Sequence, residues 1–576
     1  MFSVGDNVTK VMSTHTVKAG FFYEWVNNKQ PNHDHDNGRF IPATWAANDT
    51  GNAYSNMIMG VTSEYYEVNQ SIILDEGYNV AEGFVQDSWK ARPDLTLEFG
   101  MRLSHLGPWY GRNGVAMGVF DPARYSDKPD DLTKYTGIIT NLVDSNIPTS
   151  GNQSRALVFG PRLGVAYSLR KNTVLRGGFG TYNYHDPQQA DPLKNPPQTM
   201  ASNLYNLNLK DVDLASPALA KVNANVVRLT DDKLPVTYNW NFTISQRLPR
   251  QTLLEASYVG NTSRNQLTGG IDLNAVPEGK VMLPIGQSVS SWDSYRPRQN
   301  YGSINESIHD DFSNYHSLQM LLARQTGRFT YSATYTFSKA LGVRSGAGET
   351  GTNLGNTFQR RARQYGVLAF DRSHVFNIAY SYEIPELVHS NAFFKGLING
   401  WQFTGITTFQ SGIHLPSNVG NNFNMEVRGT LNGTEYTLGQ EHVTGTNSVS
   451  LQPMLTCDPR QGLKDGYYLN GACFAPPQPG KNGVYQFPYL RGPGYSNHDI
   501  AIFKNFQLGK NEDRKLQLRF SANNFFNHPL SSFESNTNDP GLKLQFLDGK
   551  MINQEFGKPH AAFGRRIMQA AIKYMF

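Results

Sequence analysis

Only 39% of the 576 residues are hydrophobic, 12% are aromatic, and glycine and proline fill 53 and 30 positions. No stretch approaches the roughly 18 to 20 continuous apolar residues of a membrane helix, which excludes helical spans but not membrane strands, whose alternating faces average out as polar. The net charge of +5 is spread along the chain without a long basic block, so nucleic acid is not an expected partner.

The opening MFSVGDNVTK has neither a basic segment nor an apolar core. It does not read as a signal peptide, which leaves a processed or truncated chain, or one that is not exported. NHDHDNG follows, with His33, Asp34, His35 and Asp36 together in an expected outer loop. Imidazole beside carboxylate suits zinc or a harder cation; with no second ligand cluster to pair with it, the plainer reading is a solvated loop. GRFIPA, from Gly38, is the weakest of the strand candidates.

From there a period of two dominates. Leu95, Leu97, Phe99, Met101 and Leu103 alternate with Thr96, Glu98, Gly100 and Arg102. Tyr238, Trp240, Phe242 and Ile244 alternate with asparagine, threonine and serine, and so do Phe329, Tyr331, Ala333, Tyr335 and Phe337 with threonine and serine. Leu516, Leu518, Phe520 and Ala522 close the series against Gln517, Arg519, Ser521 and Asn523. Alternation of this kind means a strand with one apolar surrounding and one polar one.

The connections alternate too. Short turns at ARPD, RKN, PRQ, TG and GKNED change places with long polar excursions: 108–157, 185–233, 267–310, 342–365, 413–496 and 528–560. Short turns at one end and long loops at the other are the habit of outer-membrane barrels, not of sandwiches or propellers. The expected fold is therefore all-β, a transmembrane antiparallel β-barrel of about seventeen strands occupying residues 1–576. An odd count cannot close antiparallel upon itself, so the beginning of the barrel is expected to be missing. A miscount by one would restore an even, self-closing wall.

The polar parity carries Glu98, Arg102, Arg162, Arg247, Glu255, Lys515 and Arg519, which are the candidates to face a lumen. They would line a hydrated wall, tune passage or contact a plug. Outer-loop aromatics Trp109, Tyr110, Trp292 and Tyr295 could stack on a ligand or simply pack the loops. Cys457 and Cys473 lie in one Gly- and Pro-rich stretch. They suit a disulfide closing a short loop in an oxidising compartment, with two unpaired thiols as the alternative. GAGETG at Gly346–Gly351 matches a dinucleotide fingerprint in letters only, because no amphipathic helix follows it. No G-x-S-x-G elbow occurs and no Ser/His/Asp set is fixed by spacing, so neither a catalytic site nor a cofactor is expected. In the final FGRRIMQAAIKYMF, Met568, Ala570, Ile572, Tyr574 and Phe576 share a wholly apolar parity. A last strand against lipid, ending in an aromatic girdle, accounts for it.

The order of FVQDSWK, LTLEFGMRL, GPRLGVAY, LRGGFGTYNY, LEASYVGNTSRN, NYHSLQMLLARQ and YTFSKAL resembles the barrel of TonB-dependent outer-membrane receptors of the Oar-like group. FDRSHVFNIAYSYEIP, NGWQFTGITTFQSG, CFAPP, RGPGYSNHDIAIFKNF and LRFSANNFFNHP continue the resemblance to Phe576. It implies a 22-stranded barrel, of which about seventeen strands would be present here, a plug folded inside it and an N-terminal TonB box. It also implies uptake of a large nutrient across the outer membrane of a Gram-negative-type bacterium. Partners so implied are the outer-membrane lipid, an extracellular substrate of unknown identity, and the assembly machinery that reads the terminal strand at Tyr574 and Phe576. The TonB system would be reached only through sequence missing from this chain. An adhesion barrel whose loops bind a partner, and a plugless porin, are the competing expectations.

Overall fold

A strand with one apolar and one polar face is stable only where those faces meet different surroundings. The computed structural model resolves this along a twenty-stranded sheet. It describes all residues except 33–36, 43–48, 69–70, 129–134, 186–192, 194–200, 215–220, 290, 344–357, 359–364, 369, 416–422, 484–489, 509–513, 534–538 and 576. His33, Asp34, His35, Asp36, the GAGETG segment and Phe576 thus lie outside the described residues.

The wall begins with β1 (Phe2–Met12), β2 (His15–Asn32), β3 (Ile72–Arg92), β4 (Leu95–Leu106) and β5 (Val158–Arg170). It continues through β6 (Thr173–Asn183), β7 (Val236–Leu248), β8 (Thr252–Asp272), β9 (Tyr301–Arg324) and β10 (Phe329–Val343). β11 (His374–Glu383), β12 (Trp401–Gln410), β13 (Tyr495–Gln507), β14 (Lys515–Asn523) and β15 (Ile567–Met575) complete it. Each strand pairs antiparallel with the next. Direction therefore alternates, and β1 and β15 run the same way. Among the described residues, β1 pairs only with β2 and β15 only with β14.

Among the described residues the wall thus has fifteen strands where the sequence suggested about seventeen. The other five of the sheet are short pieces among the long loops: Tyr110–Gly111, Val119–Phe120, Ile138–Ile139, Val222–Val227 and Tyr365–Val367. GRFIPA does contain a strand, Arg39–Ile41, but it joins Val61–Val68 in a separate three-stranded sheet.

Register separates the faces. Leu163 lies between Phe99 and Phe179, and Tyr258 lies between Phe242 and Leu318. Leu163 is 58% exposed and Phe242 48%, so this face offers water a continuous apolar surface far larger than a soluble monomer tolerates. Towards the long-loop end its tyrosines find polar partners: Tyr258 Oη lies 2.8 Å from His316 Nδ1, and Tyr335 Oη lies 2.9 Å from His374 Nδ1.

At the other end the connections are tight, as at Gly327, whose φ of +84° most side chains resist. Among the described residues the exception is the β11–β12 connection, which carries helix α1 (Ala392–Ile398). Among the described residues the long-loop end is folded. β8 and β9 run on to Asp272 and back from Tyr301, into what the sequence suggested was a loop from 267 to 310. Alternation of apolar with polar lapses there because polar residues, among them Thr268, Glu306 and Asp311, take buried positions. Tyr301 and Ile304 pack with Phe120, Ile138, Ala224 and Val226 in a small core.

A second, larger core ties the β12–β13 loop to the β14–β15 loop. Phe423, Leu469, Phe474 and Leu490 of the first are buried with Leu542, Leu544, Phe546 and Phe556 of the second. Glu426–Leu431 pairs parallel with Gln545–Leu547, joining the two loops through backbone hydrogen bonds as well. Cys457 and Cys473 form a disulfide within this cap.

Candidate functional site

The polar face of the wall is the first part of the site. Arg102 sits opposite Gly160, Glu98 opposite Gly164, and Arg162 between Gly100 and Gly180. Glu255 faces Ser245 and Arg247 faces Leu253; Lys515 faces Met575 and Arg519 faces Ala571. Carried strand to strand, this register puts all seven charged candidates on one face, opposite to that of Leu163 and Phe242.

Several of them are braced. Arg102 Nη1 donates to Glu82 Oε2 at 2.6 Å, and Ser104 Oγ donates to the same carboxylate at 2.7 Å. Arg176 pairs with Glu255, which also accepts from Ser245 Oγ at 2.6 Å. The guanidiniums of Arg162 and Arg519 lie over the rings of Tyr182 and Phe503, 4.8 and 5.1 Å from the centroids. Glu82, Arg176, Tyr182 and Phe503 belong to the site though sequence reasoning did not single them out; the parity that found Arg102 would have found them.

Glycines make room for these long side chains. A Cβ built on Gly164 would stand 3.3 Å from Glu98 Oε2, and one on Gly160 would stand 3.4 Å from Arg102 Cβ. Across β4, β5 and β6 the charged side chains thus have bare backbone beside them.

The second part is a cleft at the long-loop end, lined by Trp109, Arg155, His185, Arg228, Asp231 and His309 among others. His185 stacks on Tyr78 with centroids 3.9 Å apart, and Trp109 meets Tyr78 edge-on at 4.5 Å. His185 Nε2 donates to the Gly107 carbonyl at 2.6 Å. Asp231 is buried and accepts from the backbone and ring nitrogens of His309 at 2.7 and 2.8 Å. Burial pushes its carboxyl up, but the bonds and charge from His309 outweigh that and hold it below its ordinary value. Arg228 pairs with Glu306, and Arg155 Nε lies 3.0 Å from Asp232.

Trp109 therefore borders the cleft while packing the loops. Tyr110 pairs with Gly77 on β3, and Trp292 and Tyr295 sit in a short helical turn that does not line it. His185, Asp231 and His309 had no periodic signal, since they come from separate loops and a strand extension. Tyr574, on the apolar face of β15, is half exposed. No cluster of three or more metal-ligating side chains occurs among the described residues.

An apolar face, a polar face opposite it and cores gathered at one rim are the features of the wall of an outer-membrane β-barrel. The chain belongs to the outer membrane beta barrel domain family, whose profile matches residues 1–569, and its place is the outer membrane of a Gram-negative-type cell. Solved structures of similar fold include the siderophore receptor PirA from Acinetobacter baumannii, 11% identical with a TM-score of 0.43 over 100% of this chain and 54% of that one. A mutant of the ferric enterobactin receptor PfeA from Pseudomonas aeruginosa, in complex with enterobactin, is 11% identical, with a TM-score of 0.42 over 100% and 54%. The FrpB iron transporter from Neisseria meningitidis is 9% identical, with a TM-score of 0.41 over 100% and 56%. The chain spans about half the length of each of these proteins. No curated protein matches it.

Proposed function

We propose that the chain is the barrel portion of a TonB-dependent receptor of the Oar-like kind, taking up a large polar nutrient. The observation that supports this reading best is one polar face carrying seven charged side chains beneath a folded outer rim. Substrate would be met at the Trp109–His185 cleft and pass along the Arg102, Arg162 and Arg519 face, which would tune passage or hold a plug. That work requires no bond to be made or broken, so the protein is read as a transporter and not an enzyme. The plug and the TonB box would lie outside these 576 residues, and the coupling to TonB with them. Assembly would proceed from the β15 edge, with Tyr574 and Phe576 as its signal.

The test is the intact mass of the native protein from its host's outer-membrane fraction, together with nutrient uptake by a deletion strain. A mass well above 64.4 kDa and a lost uptake phenotype support the reading. A protein absent from the outer membrane, or without heat-modifiable gel mobility, would end it.

The disulfide-bonded cap supports a second reading, an anchor whose loops bind a surface or matrix. Deleting the cap would then abolish adhesion and leave uptake intact. A plugless porin would instead give steady conductance in a planar bilayer.

A further inference from the structure

Residues 384–400 join β11 to β12 at the end where the other described connections are tight turns, and nothing in transport calls for their length. They are well built. Asn391 caps α1 by accepting from the backbone nitrogens of Phe393 and Phe394. Asn399 closes the loop: its Oδ1 accepts from the Leu387 and Val388 backbone nitrogens at 2.9 and 3.1 Å, and its amide donates to the Val388 carbonyl at 2.7 Å.

This rigid segment holds its apolar side chains outward. Phe393 is 73% exposed, Leu387 64%, Leu397 56% and Phe394 49%. On a helix, positions 393, 394 and 397 fall within one 100° arc, and Lys395 lies on the other side. Lys395 reaches Glu386 at 3.8 Å.

The apolar arc is continuous with the apolar face of the wall. Leu397 and Trp401 border one groove with Ile502, Phe506, Leu518 and Ile572. Trp401 Nε1 donates to the Leu397 carbonyl at 3.0 Å. The Lys504 ammonium, bonded to the Asn399 carbonyl, sits 5.2 Å from the Trp401 centroid and 5.1 Å from that of Phe506. A tryptophan and a lysine side by side where an apolar surface ends are the usual mark of a membrane–water boundary.

We propose that this connection is a membrane-interface anchor whose partner is the phospholipid of the periplasmic leaflet. α1 lies in the plane of that leaflet, with Phe393, Phe394 and Leu397 among the acyl chains. Lys395 stands at the level of the anionic headgroups, and the buried Lys504 braces the Trp401 boundary beneath it. Two observations select lipid as the occupant: the arc extends a surface already turned to lipid, and a tryptophan–lysine pair stands where that surface ends.

The test labels Leu397→Cys and Lys395→Cys, separately, with a nitroxide. Each full-length variant is reconstituted into vesicles of phosphatidylethanolamine and phosphatidylglycerol, and collisions with oxygen and with a nickel chelate are compared. Both positions are exposed and the native cysteines are paired with each other, so heat-modifiable mobility should persist and confirms the fold. The expected result is oxygen-dominated contact at 397 and nickel-dominated contact at 395. Nickel-dominated contact at both would put α1 in water, with its apolar arc left for a protein, and would overturn the proposal. Oxygen-dominated contact at both would refute the in-plane orientation.

Discussion

Glu426 is the residue on which the cap's response to acid should turn. Its carboxylate accepts from Lys543 Nζ at 2.9 Å, Arg428 Nε at 2.5 Å and Gln545 Nε2 at 3.1 Å, so it joins the two loops across their parallel strands. The Lys543 bond is the largest cause of a carboxyl pKa pulled down from 4.5 to about 2. At 1.36 kcal/mol per tenfold, such a depression favours the folded cap by up to about 3 kcal/mol. The side chain is 18% exposed, and its partners Lys543 and Arg428 are 30% and 35% exposed, so screening by water reduces this to about 1.5–2 kcal/mol. Because the folded value is the lower one, the stabilisation is complete above about pH 4.5 and disappears as the pH falls towards 2. Glu426→Gln should forfeit it at every pH. Hydrogen exchange of the amides in Glu426–Leu431 and Gln545–Leu547, corrected for intrinsic rates, reads the effect. Protection at pH 6 should fall roughly 10- to 30-fold in the variant, and only the wild type should lose protection between pH 4.5 and 2.5. Equal protection at pH 6, or parallel acid profiles, would show that the cluster does not hold the loops together.

Three other outcomes follow from the same structure. Phe546→Ala removes a fully buried ring from the cap core; it should cost about 3–5 kcal/mol and open the cap to protease while leaving heat-modifiable mobility unchanged. Cys457→Ser with Cys473→Ser, a pair 16 residues apart, should cost the cap about 3 kcal/mol and expose the intervening segment to trypsin. Phe242→Arg, on the lipid-facing side of β7, should lower barrel stability by about 2–4 kcal/mol in denaturant titrations from phospholipid vesicles. Asn241→Arg, one residue along and on the polar face, should change it little.

What could be read in the sequence was what repeats every second residue. Arg102 and Arg519 lie more than 400 positions apart, yet parity alone assigned both to the face where register puts them. The reading failed where a residue's surroundings come from another loop. His309 and Asp231 meet at 2.8 Å across 78 positions, and no local pattern announces that. The strand extensions at Asp272 and Tyr301 were missed because buried polar residues such as Thr268, Glu306 and Asp311 break the apolar alternation that betrays a strand. The cap core draws its phenylalanines from stretches rich in glycine, proline and asparagine, which look like solvent-facing loop until two of them are brought together. α1 is seven residues long, too short for a helical period to stand out. The strand in GRFIPA joins a separate sheet, and local propensity says nothing about which sheet a strand will join.

The glycines beside Arg102, Glu98 and Arg162 carry a consequence for how such a wall can change. Where backbone alone forms the floor, the clearance above it is set by the torsion angles of a few long side chains. An arginine released from its partner, Arg102 from Glu82 or Arg162 from the Tyr182 ring, can swing across a neighbouring glycine without any movement of the strands. Clearance over the polar face is therefore governed by making and breaking those contacts, while the hydrogen-bonded frame stays fixed. A residue replacing Gly164 would press on Glu98, and one replacing Gly160 on the Thr181 carbonyl, so either would narrow the clearance over this face. Shortening Arg102 or Glu98 would widen it, with only backbone left beneath.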